Sequence, residues 1–282
     1  MIISQERERK YTMKKIFYYA VTLLLILSIV GCSAQPESNN PNILSDANVN
    51  QVQADTFFKD HDGTFILRDL KTEETYIYIE QRAKEKLTPQ STFKVPNALI
   101  GLQLGVVKDE YDIKKWDGKE NEIISWNHDH TLGSAMRDSV VWYYQAIARD
   151  IGEKRMNEWL HKISYGNEDI SAGIDHFWLQ SSLKITPLEE ADFMEKLYKE
   201  DLPFDKPIMK TVKRMMIQEE GDHYILYGKT GTRITDMGLG WFVGFIVVEN
   251  HPYVFVTNVN DSGTVAKNIT VEILKQYNLI TE

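Results

Sequence analysis

Four short segments of this 282-residue chain hold residue types that together can perform acyl transfer. The first is Ser91-Thr92-Phe93-Lys94, followed by the apolar stretch VPNALIGLQLGVV, which predicts a buried helix with the serine in its first turn. A hydroxyl there sits beside unpaired backbone N–H groups at the positive end of the helix, and a lysine three residues on shares its face. One turn thereby offers a nucleophile, its base and an oxyanion donor. The pattern S-x-x-K alone is expected about once by chance in a chain of this size and average usage. Ser181-Ser182-Leu183-Lys184 repeats it, but with no apolar helix behind it, and reads as a solvated connection.

The other segments are Ser139-Val140-Val141, Tyr165-Gly166-Asn167 and Lys229-Thr230-Gly231. Each has a bland reading by itself: a core valine, a helix C-terminal turn, a solvated strand lysine. Together and in this order they are informative, because Lys-Thr-Gly is expected in only about a few per cent of chains this long. His128-Asp129-His130 offers too few convergent ligands for a metal, and neither an H-E-x-x-H helix nor a G-x-S-x-G elbow is present. The acidic runs Glu189-Glu190 and Glu219-Glu220 read as solvated helix or strand faces.

Composition excludes several classes. With 43% hydrophobic and 26% charged residues the chain is globular, and 32 basic against 41 acidic side chains give a net charge of -9. Such a surface repels phosphate backbones, so nucleic acid is not an expected partner. A single cysteine, Cys32, makes neither an internal disulfide nor a thiolate zinc site.

That cysteine has a place in the leader. Arg7, Arg9, Lys10, Lys14 and Lys15 precede an uncharged run from Ile16 to Val30, too short to span a bilayer comfortably and basic on its N-terminal side, as in an export signal. Met13 is an alternative start. The run ends in Ile29-Val30-Gly31-Cys32, which resembles the lipobox of bacterial lipoproteins. The expected organisation is a signal peptide over 1–31, a lipidated Cys32 with a flexible tether to residue 55, and a catalytic domain over 56–282. The protein would be exported, extracytoplasmic and held at a membrane by its lipid. Loss of residues 1–31 removes five basic and two acidic side chains and leaves a charge of -12.

The elements that must position the motifs are mixed. A hairpin is predicted from 65–68 and 76–81, helices over 139–150, 153–162 and 187–199, and strands over 223–227, 241–248 and 253–259 with a turn at Asn250-His251-Pro252. Thr186-Pro187-Leu188-Glu189 has the form of an N-cap, a Pro at N1 and a capping-box acid. A final helix is predicted over 264–277. The expected fold is α+β: an antiparallel sheet built from both ends of the chain, flanked by helices, with an inserted helical lobe.

The run STFK, S-x-V, YGN, Phe177-Trp178-Leu179 and KTG resembles the class D serine β-lactamases over nearly all of residues 56–282. The resemblance implies the serine β-lactamase and penicillin-binding fold and hydrolysis of β-lactam antibiotics, hence resistance. It implies that Ser91 is the nucleophile, that Lys94 becomes N6-carboxylysine by adding carbon dioxide and acts as general base, and that no metal or organic cofactor is used. Phe93, Val141, Trp178 and Leu179 would surround and desolvate the lysine amine, with the Trp178 indole supporting the carbamate. The backbone N–H groups of Ser91 and Thr232 would form the oxyanion hole. Ser139 and Lys229 would serve the leaving nitrogen, and Thr230, Gly231, Thr232 and Trp126 would line the substrate site. One position departs from the family: Ala266 stands where an arginine pairs with the substrate carboxylate, and the candidates to replace it are Lys267 beside it or Thr230, Thr232 and Arg233. Two rival readings are the penicillin-sensing domain of β-lactam receptors, acylated without turnover, and a penicillin-binding transpeptidase. The apolar second motif and the FWL segment argue against the latter.

Overall fold

The computed structural model describes residues 49–179 and 182–281. The leader expected over 1–31, Cys32 and the first part of the tether lie outside these residues.

The sheet has seven strands in the order β1-β3-β2-β9-β8-β7-β6. Their ranges are β1 Val49–Gln51, β2 Gly63–Asp69, β3 Thr75–Tyr78, β6 Ile217–Glu220, β7 Tyr224–Thr232, β8 Gly240–Val248 and β9 His251–Val259. The pair β4 Ile113–Lys114 and β5 His130–Thr131 forms a separate two-stranded ribbon. As expected, the first and last parts of the chain share the sheet: β2 pairs antiparallel with β9 from Gly63↔Val259 to Asp69↔Tyr253. Every residue of β2 is buried, because the central strands are covered on both faces.

Helices α1 Asp55–Phe58, α2 Glu80–Ala83, α3 Lys94–Gln103, α4 Leu132–Arg137, α5 Val141–Ile151, α6 Glu153–Ile163, α7 Pro187–Lys199, α8 Lys206–Met215 and α9 Gly263–Gln276 complete the domain. One sheet face, with Phe65, Leu67, Phe242, Ile246 and Phe255, packs on α9 through Ala266, Ile269, Ile273 and Leu274. The opposite face, with Ile66, Val243, Phe245, Val254 and Val256, closes on the helical lobe inserted between β3 and β6.

The structure corrects several boundaries. Residues 49–55, expected in the tether, belong to the domain: β1 pairs parallel with β3, so this edge of the sheet is mixed, and Val52 and Ala54 are buried. A polar segment can do this because an edge strand is held by backbone hydrogen bonds, here extended by Val52 N–H to Ile77 O at 3.1 Å. The second hairpin strand stops at Tyr78, since Ile79 turns left-handed (φ 55°) before α2. The β8–β9 turn is Glu249-Asn250, both at positive φ, and His251 and Pro252 are already in the strand. Helix α5 begins at Val141, not at Ser139.

The capping box forms as predicted: Glu189 N–H donates to Thr186 Oγ1 at 3.1 Å and Thr186 N–H to Glu189 Oε2 at 2.8 Å. Thr186→Ala should cost about 1 kcal/mol, seen as a lower urea midpoint with an unchanged slope; an unmoved midpoint would show that the box contributes nothing.

Candidate active site

Ser91 lies in a 3-10 turn, Gln90–Phe93, that runs straight into α3, so the serine precedes the α-helix rather than occupying its first turn. Gln90 takes a left-handed conformation (φ 55°), and its side-chain amide donates to Thr88 Oγ1 and to Leu179 O. The turn packs along β7 beyond the point where β6 ends. Gly231 makes this approach possible, because a Cβ there would lie 3.0 Å from Pro89 O.

Lys94, the first residue of α3, is fully buried and its Nζ lies 2.7 Å from Ser91 Oγ. Burial, reinforced by the charge of Lys229, holds the amine well below the ordinary lysine range. A lysine so placed can be neutral near pH 7, and a neutral amine is both base and nucleophile. The Tyr144 ring of α5 lies beneath it, 5.6 Å from Nζ to the ring centre. Phe93 stacks on Trp178 at 5.4 Å and meets Phe177 edge to face. Phe93 and Trp178 are fully buried, while Val141 and Leu179 are only half-buried. The Trp178 Nε1 is buried with no hydrogen-bond partner among the described residues. Leaving such a donor unsatisfied costs about 1–3 kcal/mol, so it marks a place for an acceptor.

Ser139 also stands in a left-handed conformation (φ 57°), between α4 and α5. Lys229 Nζ donates to Ser139 Oγ at 3.0 Å and to Thr230 O at 2.9 Å, joining the second and fourth motifs. Burial, and secondarily the charge of Lys267, brings Lys229 down to about 7. Lys267 sits over the Phe242 ring, which pairs across the strands with Thr230, and gives a hydrogen bond to Gln218 Oε1 at 2.8 Å. Ala266, in the first turns of α9, is buried against the sheet. Thr232 Oγ1 accepts from Gly263 N–H at 2.9 Å, which fixes the start of α9 on β7. Trp126 is half-buried at the edge of the helical lobe and donates from Nε1 to Asp138 O, next to Ser139.

The third motif lies behind the first. Tyr165 meets Phe93 edge to face, and Asn167 binds the 182–184 segment through Ser182 O and Lys184 N–H. Gly166 has φ 58°, and a Cβ would fall 2.2 Å from Lys184 O. The second S-x-x-K begins at Ser181, outside the described residues; its Lys184 is exposed. His128 and His130 stack on each other, and no group of three metal-ligating side chains occurs among the described residues.

Three residues escaped sequence reasoning. Tyr144 had a signal, three places after Val141 on one helix face. Gln90 had none, because its partners are distant in sequence. Glu190 was misassigned: the run Glu189-Glu190 is not a solvated face. Glu189 caps α7 outward, whereas Glu190, one step round the helix, is fully buried against Thr92 and Tyr165.

Comparison with known proteins agrees with this geometry. The family model "Penicillin binding protein transpeptidase domain" matches residues 37–277. The chain is 66% identical over 269 residues to the probable β-lactamase YbxI of Bacillus subtilis (strain 168), covering 95% of this chain and 100% of that one. The solved structure of the class D β-lactamase BAT-2 has 76% identity and a TM-score of 0.81, over 82% of this chain and 98% of that one. The C-terminal domain of the Bacillus licheniformis BlaR penicillin receptor is more distant, with 32% identity and a TM-score of 0.80 over 85% of this chain and 100% of that domain. A buried Ser-x-x-Lys turn, a serine and lysine bonded across the cleft, and these similarities along almost the whole chain place it in the class D β-lactamase family.

Proposed function

We propose that this protein hydrolyses β-lactam antibiotics through an acyl-enzyme on Ser91, and so confers resistance. The observation that carries the reading is the Ser91–Lys94 contact at 2.7 Å with the lysine amine excluded from water. Ser91 Oγ, giving its proton to the Lys94 side chain, adds to the lactam carbonyl carbon while the Ser91 and Thr232 backbone N–H groups hold the oxyanion. As the lactam C–N bond breaks, Ser139 passes a proton to the nitrogen, helped by the Lys229 ammonium bonded to it. Water then cleaves the ester and restores Ser91. Thr230, Gly231 and Trp126 border the space for substrate. The cluster of Lys229 and Lys267 supplies positive charge for its carboxylate, with Lys267 acting as a point charge rather than a bidentate fork.

The unpartnered Trp178 Nε1 supports carboxylation of Lys94, because a carbamate on Nζ would supply the missing acceptor. Carbon dioxide bound in this way would give the lysine an anionic oxygen base for both acylation and deacylation. The residues that would hold it are Trp178, with Phe93, Val141 and Leu179 keeping water out.

The likeness to the BlaR domain keeps one other reading open to test, a sensor acylated once. Purified residues 33–282 should turn over a chromogenic β-lactam many times; a single stoichiometric acylation would establish the sensor instead. Lys94→Ala should lower turnover by about 10² to 10⁴-fold, with deacylation hit harder than acylation, and unchanged hydrolysis would remove Lys94 from the mechanism. Trp178→Phe should raise the bicarbonate concentration needed for half-maximal activity by about tenfold or more, as loss of a charge-assisted hydrogen bond does. An unshifted requirement would sink the carbamate.

The basic leader, the short apolar run and Gly31-Cys32 support export and lipid anchoring at Cys32. Cys32→Ala should release the protein from membranes, and undiminished membrane association would refute the anchor.

A further inference from the structure

Behind the Ser91 turn lies a carboxyl group that the hydrolytic steps above do not use. Glu190, in the first turn of α7, is fully buried. Its Oε1 is 2.8 Å from the Tyr165 hydroxyl and 2.7 Å from Thr92 Oγ1, and Thr92 Oγ1 is also 2.8 Å from Pro89 O. Pro89 O is the atom that Gly231 lets approach β7. A threonine hydroxyl has one hydrogen, yet two oxygens lie within its reach. An ionised Glu190 would take that hydrogen, leaving Pro89 O only the Thr92 backbone N–H at 3.2 Å, and would leave a charged Oε2 buried with no partner among the described residues. A protonated Glu190 removes the conflict: Oε1 carries the proton and donates it to Thr92 Oγ1 while accepting from Tyr165, and Thr92 donates to Pro89 O, each hydrogen used once.

We propose that Glu190 is a positioning residue that works as a neutral carboxylic acid, donating to Thr92 and so pinning the Ser91 turn through Pro89 against the Gly231 segment of β7. The proposal rests on reading Ser91 as the nucleophile.

The surroundings favour the neutral form. The titratable groups facing Glu190 are Tyr165, from the loop after α6, and Glu189 on its own helix, whose charge opposes ionisation. Arg68 of β2 is taken up by Asp192 and Glu195, and Lys199 of α7 by Glu195. Lys94, beyond the Thr92 turn, is bonded to Ser91. The strands β8 and β9 present Val243, Phe245, Val254 and Val256 on this side. Burial accordingly raises the Glu190 carboxyl to about 7 against hydrogen bonds from Thr92 and Tyr165 that lower it.

The sign follows. The folded chain keeps this proton where the unfolded chain has lost it, so stability falls as pH rises from the ordinary glutamate value to about 7, and is flat beyond. Glu190→Gln cannot ionise, and its amide N–H can donate to Thr92, although at that atom it gives a bond to Tyr165 instead of accepting one. Because Glu190 and Lys229 both titrate near pH 7, the alkaline limb of kcat/KM should be steeper in wild type, two ionisations, than in E190Q, where the Lys229 step alone remains, and the wild-type urea midpoint should fall relative to E190Q over that window. Profiles that run parallel in both measurements overturn the proposal. If E190Q does not fold, infrared spectroscopy of the wild type decides: the band of a protonated, water-excluded carboxyl should be present at about pH 5.5 and lost by about pH 8.5, and its absence at the lower pH overturns the proposal. Failure of the hydrolase reading is separate, since it appears as wild-type protein without turnover at any pH.

Discussion

The dry burial of the Lys94 amine is the constraint on which the site depends. A lysine removed from water ordinarily keeps its charge by pairing with a carboxylate; here its hydrogen-bond partner is a neutral serine hydroxyl and the nearest named charge is another lysine. The ammonium form is therefore opposed twice, by lost hydration and by like-charge repulsion. This explains why the second motif carries two valines rather than polar residues, and why Phe93, Trp178 and Tyr144 wall the space. It also explains why the helical lobe must be packed to the density of a core: water let in beside Lys94 would return the amine to its ordinary, inert state.

Holding a reactive group in such a place has a backbone cost. Gln90 and Ser139, the residues immediately beside and opposite the Ser91–Lys94 pair, are both non-glycine residues with positive φ. Each such residue costs about 1–3 kcal/mol and persists where surrounding contacts over-determine it. Those contacts are visible: the Gln90 amide is spent on Thr88 and Leu179, and Ser139 is held between Lys229 and the turn closed by Val140 N–H to Ala135 O. Positive φ also occurs at turns elsewhere, as at Ile79, Glu249 and Asn250, but at these two positions it falls on the joint between helical lobe and sheet, where the two halves of the site meet.

Much of this was legible in the amino-acid order. The bounds of α7 and its capping box followed from Thr186-Pro187 and Glu189, because caps are local chemistry. The four motifs were found because their residue types are rare in combination, and the structure joins Ser91 to Lys94 and Ser139 to Lys229. What escaped depended on partners remote in sequence. Asn50 and Gln51 look like tether until the free edge of β3 is placed beside them. Glu190 looks solvated until helix phase and the buried hydroxyls of Thr92 and Tyr165 are known together. Lys267 could be named from its neighbour Ala266, but its engagement by Gln218 needed the register of β6 on β7.

The pairing of β2 with β9 has a kinetic meaning. Strands almost two hundred residues apart must meet before the centre of the sheet exists, and pairings of such long range are slow because loop closure precedes any reward. Until β9 is available, β2 and β8 both present open, apolar edges. A chain built this way cannot complete its central sheet until its synthesis is almost finished, and loss of the last thirty or so residues is far more damaging than their share of the length suggests.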